Sequence, residues 1–206
     1  MRDLITMDDL SNDEIIEILD SAERLLPVAK GDTYAPLLQG KVLGNLFFEN
    51  STRTRMSFES AMKRLGGEVI NLSSIGSSVA KGETLYDTMQ MVDGYSDIAV
   101  IRHPRQGAAQ YSADAVEIPI LNAGDGAGNH PTQTMLDLFT IRQAHGTLEG
   151  LNIVLVGDLR FGRTTHSLSH ALVRFGTKLT LVSPETLRMP SEIVSDLKSH
   201  GADVTE

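Results

Sequence analysis

Cysteine is absent from the 206-residue sequence, and so is any long apolar run. Without cysteine the chain has no disulfide scaffold, no thiolate metal ligand and no cysteine nucleophile, which fits a reducing compartment. No stretch approaches the roughly 20 apolar residues that a membrane helix needs. Residues 1–10 hold three aspartates instead of the apolar segment of a signal peptide. We therefore expect a soluble, cytoplasmic protein with no membrane partner.

Positive charge is also scarce. The 18 lysines and arginines are outnumbered by 27 aspartates and glutamates, which gives a formal net charge of -9. A chain this acidic lacks the broad basic surface of a protein that binds nucleic acid without sequence preference, so we expect no nucleic-acid partner. Any anion that it binds must be held by a local cluster of cations.

Short apolar runs alternate with amphipathic segments along the whole chain. Ser11 and Glu14 form a capping-box pattern at the start of a first helix, which Pro27 is expected to end. The remaining predicted helices cover residues 57–65, 84–93, 108–115, 131–145, 165–175 and 193–199. The predicted strands cover residues 42–48, 69–72, 98–101, 118–121, 153–156 and 179–182. Such an alternation with nearly continuous apolar strands is typical of parallel sheets covered on both faces.

The long helix at residues 131–145 is the expected domain boundary. Four predicted strands precede this helix, and only two clear strands follow it. A two-stranded parallel sheet is a poor independent domain. The sequence therefore predicts an α/β fold with two Rossmann-like parallel-sheet domains, the second of them incomplete in this chain.

Residues 51–55 (STRTR) form the most informative segment, because they lie where a predicted strand passes into a helix. A helix N-terminus offers free N–H groups and the positive end of the helix dipole, which together bind phosphate. Ser51, Thr52 and Thr54 add hydroxyl groups, and Arg53 adds a forked guanidinium suited to phosphate oxygens. A P-loop pattern is absent. From composition alone, an ordinary helix cap followed by solvated arginines stays open as the alternative.

Five segments, in order, resemble the aspartate and ornithine carbamoyltransferase family, and the likeness runs from the first helix to the end of the chain. They are residues 51–59 (STRTRMSFE), 77–87 (SSVAKGETLYD), 101–108 (IRHPRQGA), 122–140 (NAGDGAGNHPTQTMLDLFT) and 157–167 (GDLRFGRTTHS). The resemblance identifies the first segment as a carbamoyl-phosphate motif. It implies a carbamoyl-phosphate-binding domain at residues 1–145, which ends in the inter-domain helix 131–145, and the N-terminal part of an aspartate-binding domain at residues 146–206.

The loop that contains Lys81 resembles the aspartate branch of the family. In that branch, the loop crosses into the active site of a neighbouring subunit, so the resemblance implies that Ser77 and Lys81 serve the neighbour and that the chain forms a homotrimer with shared sites. It leaves association with regulatory chains open. By itself, Lys81 would be a solvated loop lysine.

The resemblance also assigns roles to residues that composition alone would leave as surface charges or as a buried histidine. Thr54, Arg102 and His130 are expected to bind the carbonyl oxygen of the carbamoyl group and to act in catalysis. Gln133 is expected to bind its amino group. These four residues, with Ser51, Thr52 and Arg53, make up the expected carbamoyl-phosphate site.

The aspartate side of the expected site is smaller. Arg163 and Lys81 are expected to bind aspartate, and Glu49 is expected to orient Arg163. No metal and no cofactor is implied.

The implied reaction transfers the carbamoyl group of carbamoyl phosphate to the α-amino group of L-aspartate, giving N-carbamoyl-L-aspartate and phosphate in de novo pyrimidine biosynthesis. Two alternatives remain at this stage. One is a carbamoyltransferase for another amine, such as ornithine. The other is a non-catalytic fragment that binds carbamoyl phosphate, because relatives continue beyond the point where this chain ends, and the 206 residues alone are not expected to turn over.

Overall fold

The computed structural model describes residues 3–73, 77–126 and 128–206, and it shows an α/β fold with two parallel sheets. Met1, Arg2 and Ala127, which belong to segments discussed above, lie outside the described residues. The helices are α1 (Asn12–Arg24), α2 (Leu26–Lys30), α3 (Thr52–Arg64), α4 (Leu85–Tyr95), α5 (Ala108–Ala115), α6 (Pro131–His145), α7 (Arg163–Val173) and α8 (Ser191–Ser199). The strands are β1 (Val42–Phe47), β2 (Glu68–Ser73), β3 (Ile98–His103), β4 (Ile120–Asp125), β5 (Asn152–Val156), β6 (Lys178–Val182) and β7 (Val204–Thr205).

The first sheet has the strand order β2-β1-β3-β4, and all of its strands are parallel. From β1 the chain first crosses to one side, to β2, and later returns to the other side, to β3 and β4. The connections therefore diverge between β1 and β3, where Phe47 lies opposite Arg102. In open α/β sheets, a crevice for ligands forms at such a point, outside the carboxyl ends of the strands.

The second sheet has the order β5-β6-β7, again with parallel pairing. The sequence predicted only the first two of these strands, because β7 is a two-residue strand near the end of the chain. The apolar core around this sheet also includes residues of α1 and α6, such as Ile15, Leu19 and Leu138. Two helices from outside the second sheet thus pack into its core and connect it to the first part of the molecule.

The α/β class and the parallel sheets are confirmed, and so is the capping box of α1. Ser11 Oγ accepts a hydrogen bond from the Glu14 backbone at 3.2 Å, and Glu14 Oε2 accepts one from the Ser11 backbone at 2.7 Å. The expected end of this helix was wrong. It ends at Arg24, and Pro27 lies in the first turn of α2, where its missing N–H costs no helical hydrogen bond.

Several other boundaries differ from the sequence-based expectation, and the two largest of these differences concern α3 and β4. Helix α3 begins at Thr52, five residues before the predicted start, and β4 extends to Asp125 instead of ending at Leu121. Both differences have one cause. The prediction followed apolar residues, and at these two ends the element extends through residues that are mostly polar or small. Among the described residues, no helix is long and apolar enough to span a membrane.

Candidate active site

A cavity of about 830 Å³ opens at the carboxyl ends of β1 and β3, beside the N-termini of α3, α6 and α7. Three arginines line it, and none of the described residues that line it is acidic. The lining residues are Asn50, Ser51, Thr52, Arg53, Thr54, Ser57, Phe58, Ala61, Arg102, His130, Thr132, Gln133, Leu136, Arg163 and Thr164. The cavity is therefore the local cluster of cations that an acidic chain needs in order to bind an anion.

The N-terminus of α3 forms one wall of this cavity. Ser51 occupies the position before the first helical residue, but its side chain makes no capping hydrogen bond. Thr52, Arg53 and Thr54 form the first turn, and all three line the cavity. The N–H groups of a first helical turn have no partner within the helix. This wall therefore offers backbone donors, hydroxyl groups and a guanidinium to the same space.

Glu49 lies between two of the arginines. Its Oε1 is 2.5 Å from Arg102 Nη2 and 3.7 Å from Arg163 Nη2. The sequence predicted only the pairing with Arg163, whereas the shorter contact is with Arg102. The side chains of both arginines are mostly buried, with 12% and 19% of their surface exposed. One carboxylate thus holds two guanidinium groups at the edge of the cavity.

A local irregularity of the first sheet places Arg102. The pairing of β3 with β4 shifts between Ile101 and His103, so that two residues of β4 lie opposite Arg102. Bulges of this kind change the direction of a side chain, and they are frequent beside active sites. Gly124, with φ +117°, lies at this point of β4, and a Cβ there would be 3.3 Å from Arg163 Nη2 and 3.4 Å from Arg102 Nη1. Only glycine lets both guanidinium groups come this close without crowding.

His130 is buried directly before α6, with 5% of its surface exposed. Burial lowers its pKa from 6.5 to about 4, and the positive charges of Arg102 and Arg163 act in the same direction, while Glu49 opposes the shift. The ring is therefore neutral near pH 7. Its Nδ1 lies 3.2 Å from the hydroxyl oxygen of Thr132.

Two buried polar residues of β4 support the loop that carries His130, and sequence reasoning did not single them out. Asn122 donates to the backbone oxygens of Ile5 and Asn129. The carboxylate of Asp125 accepts from the backbone N–H groups of Asn129 at 2.7 Å and of Gly107 at 2.8 Å. The sequence could have indicated these residues, because polar side chains at the end of a buried strand are usually hydrogen-bonded within the structure.

Gln133 lies in the first turn of α6 and lines the cavity, as its position one turn after His130 suggested. Its side-chain nitrogen donates to Asp137 Oδ1 at 3.1 Å. Burial raises the pKa of the Asp137 carboxyl, and the hydrogen bond from Gln133 lowers it in part. Asp137 itself does not line the cavity.

Ser77 and Lys81 are not brought to this cavity. Ser77 precedes a short 3₁₀ turn at Ser78–Lys81 that leads into α4, and Lys81 is the last residue of this turn, with an exposed side chain. Neighbouring residues of the same loop, Val79 and Glu83, line a different cavity of about 810 Å³. Among the described residues, no three histidine, aspartate or glutamate side chains lie together in an arrangement that could hold a metal ion.

Comparison with known proteins places these features in one family. The family model described as aspartate/ornithine carbamoyltransferase, carbamoyl-P binding domain, matches residues 2–143. The aspartate carbamoyltransferase catalytic subunit of Methanococcoides burtonii is 56% identical over 204 residues, which are 98% of this chain and 66% of that protein. The corresponding subunit of Methanothrix thermoacetophila is 55% identical over 206 residues, which are 100% of this chain and 67% of that protein.

Solved structures agree with the sequence relatives. The catalytic subunit of M. jannaschii aspartate transcarbamoylase superposes with a TM-score of 0.94 at 49% identity, covering 100% of this chain and 68% of that one. Aspartate transcarbamoylase from Trypanosoma cruzi in complex with carbamoyl phosphate and aspartate gives a TM-score of 0.93 at 41% identity, covering 99% and 66%. The chain therefore spans about two thirds of the length of these relatives.

Proposed function

Because the chain belongs to the aspartate and ornithine carbamoyltransferase family, we propose that it serves the transfer of the carbamoyl group from carbamoyl phosphate to the α-amino group of L-aspartate. The products are N-carbamoyl-L-aspartate and phosphate, in de novo pyrimidine biosynthesis and in the cytoplasm. The observation that carries this proposal is the cavity in which Arg53, Arg102 and Arg163 meet the N-terminus of α3 and the buried His130. In this proposal, residues 1–145 form the domain that holds carbamoyl phosphate, and residues 146–206 form the first part of the aspartate-binding domain.

The N-terminus of α3 binds the phosphate group. The unpaired backbone N–H groups and the positive end of the helix dipole face a dianion there. Ser51, Thr52 and Thr54 donate through their hydroxyl groups, and Arg53 forms charge-assisted hydrogen bonds. The absence of a capping bond at Ser51 supports this role, because its hydroxyl is not used to close the helix end.

The carbonyl oxygen of the carbamoyl group lies against Thr54, Arg102 and His130. When the amine attacks the carbonyl carbon, negative charge grows on this oxygen, and fixed donors stabilise that charge in the transition state. A neutral His130 whose Nδ1 accepts from the Thr132 hydroxyl carries its proton on Nε2, from which it can donate to the oxygen. The lowered pKa of His130 supports this assignment.

Arg163 binds a carboxylate of aspartate, with Glu49 as its orienting partner. Lys81 of a neighbouring subunit in a homotrimer helps to hold the phosphate as well as the aspartate, together with Ser77. Lys81 is exposed and does not line the cavity of its own chain, which supports this arrangement. Holding two anionic substrates together then lowers the barrier through positioning as well as through charge.

The activity can be tested in two steps with the chain as it is. Calorimetry measures the binding of carbamoyl phosphate, and a colorimetric assay for the carbamoylated product follows with aspartate or with ornithine as the amine. We expect binding of carbamoyl phosphate and, where product forms, a preference for aspartate. Turnover of ornithine in place of aspartate would contradict the proposal, and so would the absence of carbamoyl-phosphate binding.

Replacing Arg53 by alanine is expected to weaken carbamoyl-phosphate binding by about tenfold or more. A hydrogen bond to a charged group contributes about 1.5–3 kcal/mol, and each 1.4 kcal/mol is about tenfold in affinity. Arg55→Ala is the matched control, because Arg55 belongs to the same helix, is exposed and does not line the cavity. Calorimetry on both variants gives the comparison. Equal binding by Arg53→Ala and Arg55→Ala would show that the phosphate lies elsewhere.

Sharing of sites between subunits predicts complementation. A Ser51→Ala chain and a Lys81→Gln chain are each expected to bind carbamoyl phosphate poorly, whereas a mixture that has exchanged subunits regains a fraction of intact sites. The fraction is measured as the stoichiometry of binding in calorimetry. Subunit exchange is confirmed separately with differently tagged chains. Demonstrated exchange without any recovered sites would argue against a contribution of Lys81 across the interface.

A further inference from the structure

The amide group of Gln133 has two chemically different ends, and one of them is already occupied. Its nitrogen donates to Asp137 Oδ1 at 3.1 Å, one helical turn away on α6. An ionised carboxylate can only accept hydrogen bonds. The amide therefore cannot flip by 180° without placing its oxygen against the carboxylate of Asp137. The nitrogen keeps its second N–H, but the amide oxygen is the atom of this side chain that can accept a hydrogen bond from a ligand.

The helix geometry makes this pairing a local property of α6. Side chains of a helix lean toward its N-terminus, so the carboxylate of Asp137 reaches back over residue 133. Gln133 lines the cavity, and Asp137 does not. Asp137 can thus act on a bound ligand only through Gln133, which makes it a positioning residue.

The amide oxygen of Gln133 differs from most polar groups around it, because Asn50 is the one other described residue lining the cavity that carries a side-chain amide. The three arginines that line the cavity can only donate, and the hydroxyl groups can donate to an anion. Phosphate and carbonyl oxygens of carbamoyl phosphate are acceptors, and its amino group is its only donor. The amide oxygen of Gln133 is therefore complementary to that amino group and to no other part of the molecule.

We propose that Asp137 fixes the orientation of the Gln133 amide and thereby makes the site select carbamoyl phosphate over acyl phosphates that lack an amino group. This inference rests on the proposed function, and it adds the residue that sets the selectivity for the carbamoyl donor. Acetyl phosphate is the informative competitor, because a methyl group of similar size replaces the amino group. With the amide fixed, acetyl phosphate leaves the oxygen of Gln133 without a partner, which carries a penalty.

The test compares the affinities of the chain for carbamoyl phosphate and for acetyl phosphate by calorimetry. A pH of about 8 keeps carboxyl groups ionised. We expect the parent to favour carbamoyl phosphate by about tenfold or more. In Asp137→Asn the new amide can donate or accept, so Gln133 is free to turn and the ratio is expected to fall to about threefold or less. Asp137→Glu keeps a carboxylate and is expected to retain part of the selectivity.

The chain provides a matched control on α5, outside this cavity. There Gln110 Nε2 donates to Asp114 Oδ1 at 2.8 Å, again four residues apart, and Asp114→Asn is expected to leave the ratio unchanged. An unchanged ratio in a folded Asp137→Asn variant would overturn the proposal. Failure of the parent to bind carbamoyl phosphate would instead overturn the proposed function itself.

NMR decides the question if Asp137→Asn does not fold. One of the two side-chain N–H protons of Gln133 in the ¹⁵N-labelled parent is expected to stay hydrogen-bonded and slow to exchange when carbamoyl phosphate binds. Fast exchange of both protons in the bound chain, or coupling of both to the ligand phosphorus, would contradict an amide held by Asp137.

Discussion

Arg102→Ala is expected to weaken carbamoyl-phosphate binding more than any other single change in the cavity. Truncation of one partner of a buried, hydrogen-bonded charge pair typically costs about 2–5 kcal/mol of binding, which corresponds to about 30-fold to several-thousand-fold. In the proposed complex Arg102 forms such a pair with the ligand, because its side chain is 12% exposed and lines the cavity, where its Nη2 also lies 2.5 Å from Glu49. The variant removes a cation from the cavity and also leaves the Glu49 carboxylate to repel the incoming phosphate.

A double-mutant cycle separates these two contributions. Glu49→Gln in the Arg102→Ala background is expected to recover part of the lost affinity, since the repelling charge is gone. Arg142→Ala is the matched control: Arg142 is 13% exposed and lies 2.7 Å from Asp20, but it does not line the cavity. Calorimetry on the parent, the single variants Arg102→Ala and Glu49→Gln, the double variant and the Arg142→Ala control gives the comparison. Binding by Arg102→Ala within about threefold of the parent would contradict the placement of the carbonyl group beside Arg102.

The second large effect is a pH dependence of stability that arises from His130. Its pKa is about 4 in the folded chain, against 6.5 for an exposed histidine. Between these values the unfolded chain binds a proton that the folded chain does not, so the free energy of unfolding rises with pH. The contribution of His130 is fully present above about pH 6.5 and is lost as the pH falls to about 4, and it amounts to about 3 kcal/mol.

Urea unfolding of the parent and of His130→Gln, each at about pH 7 and about pH 4.5, measures this contribution. The measured quantity is the loss of unfolding free energy on acidification, compared between the two proteins. Carboxyl groups also titrate in this range, but they do so equally in the parent and in His130→Gln, so the variant is expected to lose less stability on acidification. His145→Gln, at the exposed end of the same helix, serves as the control. A His130 imidazole that titrates near pH 6.5 by NMR would show that the ring is not held neutral in the folded chain.

Much of the fold could be predicted because apolar periodicity reports on burial. The helix bounds Ala108–Ala115 and Pro131–His145 match the prediction, since their buried faces and end residues are visible in the sequence. Helix α3 was predicted too short, because its first turn presents hydroxyl groups and the guanidinium of Arg53 to the cavity and Met62 is its only buried residue. Its starting point is set by this cavity-facing turn and leaves no apolar signal.

Many of the residues that line the cavity could be indicated from the sequence, but their geometry could not. The run at residues 51–55 indicated an anion site, and the family resemblance supplied Arg102, His130 and Gln133. The bulge opposite Arg102 could not be foreseen, because it depends on the register between two strands. The same holds for the pairing of Glu49 with Arg102, since residues far apart in sequence meet only at the point where the strand connections diverge.

A crystal structure of the chain with carbamoyl phosphate tests the central claim most directly. The account predicts the phosphate group at the N-terminus of α3, within hydrogen-bond distance of the backbone N–H groups of residues 52–54 and of Arg53. It also predicts the carbonyl oxygen beside Arg102 and His130, and the amino group on the oxygen of Gln133. A ligand bound elsewhere, or a cavity that stays empty at saturating ligand, would contradict the account.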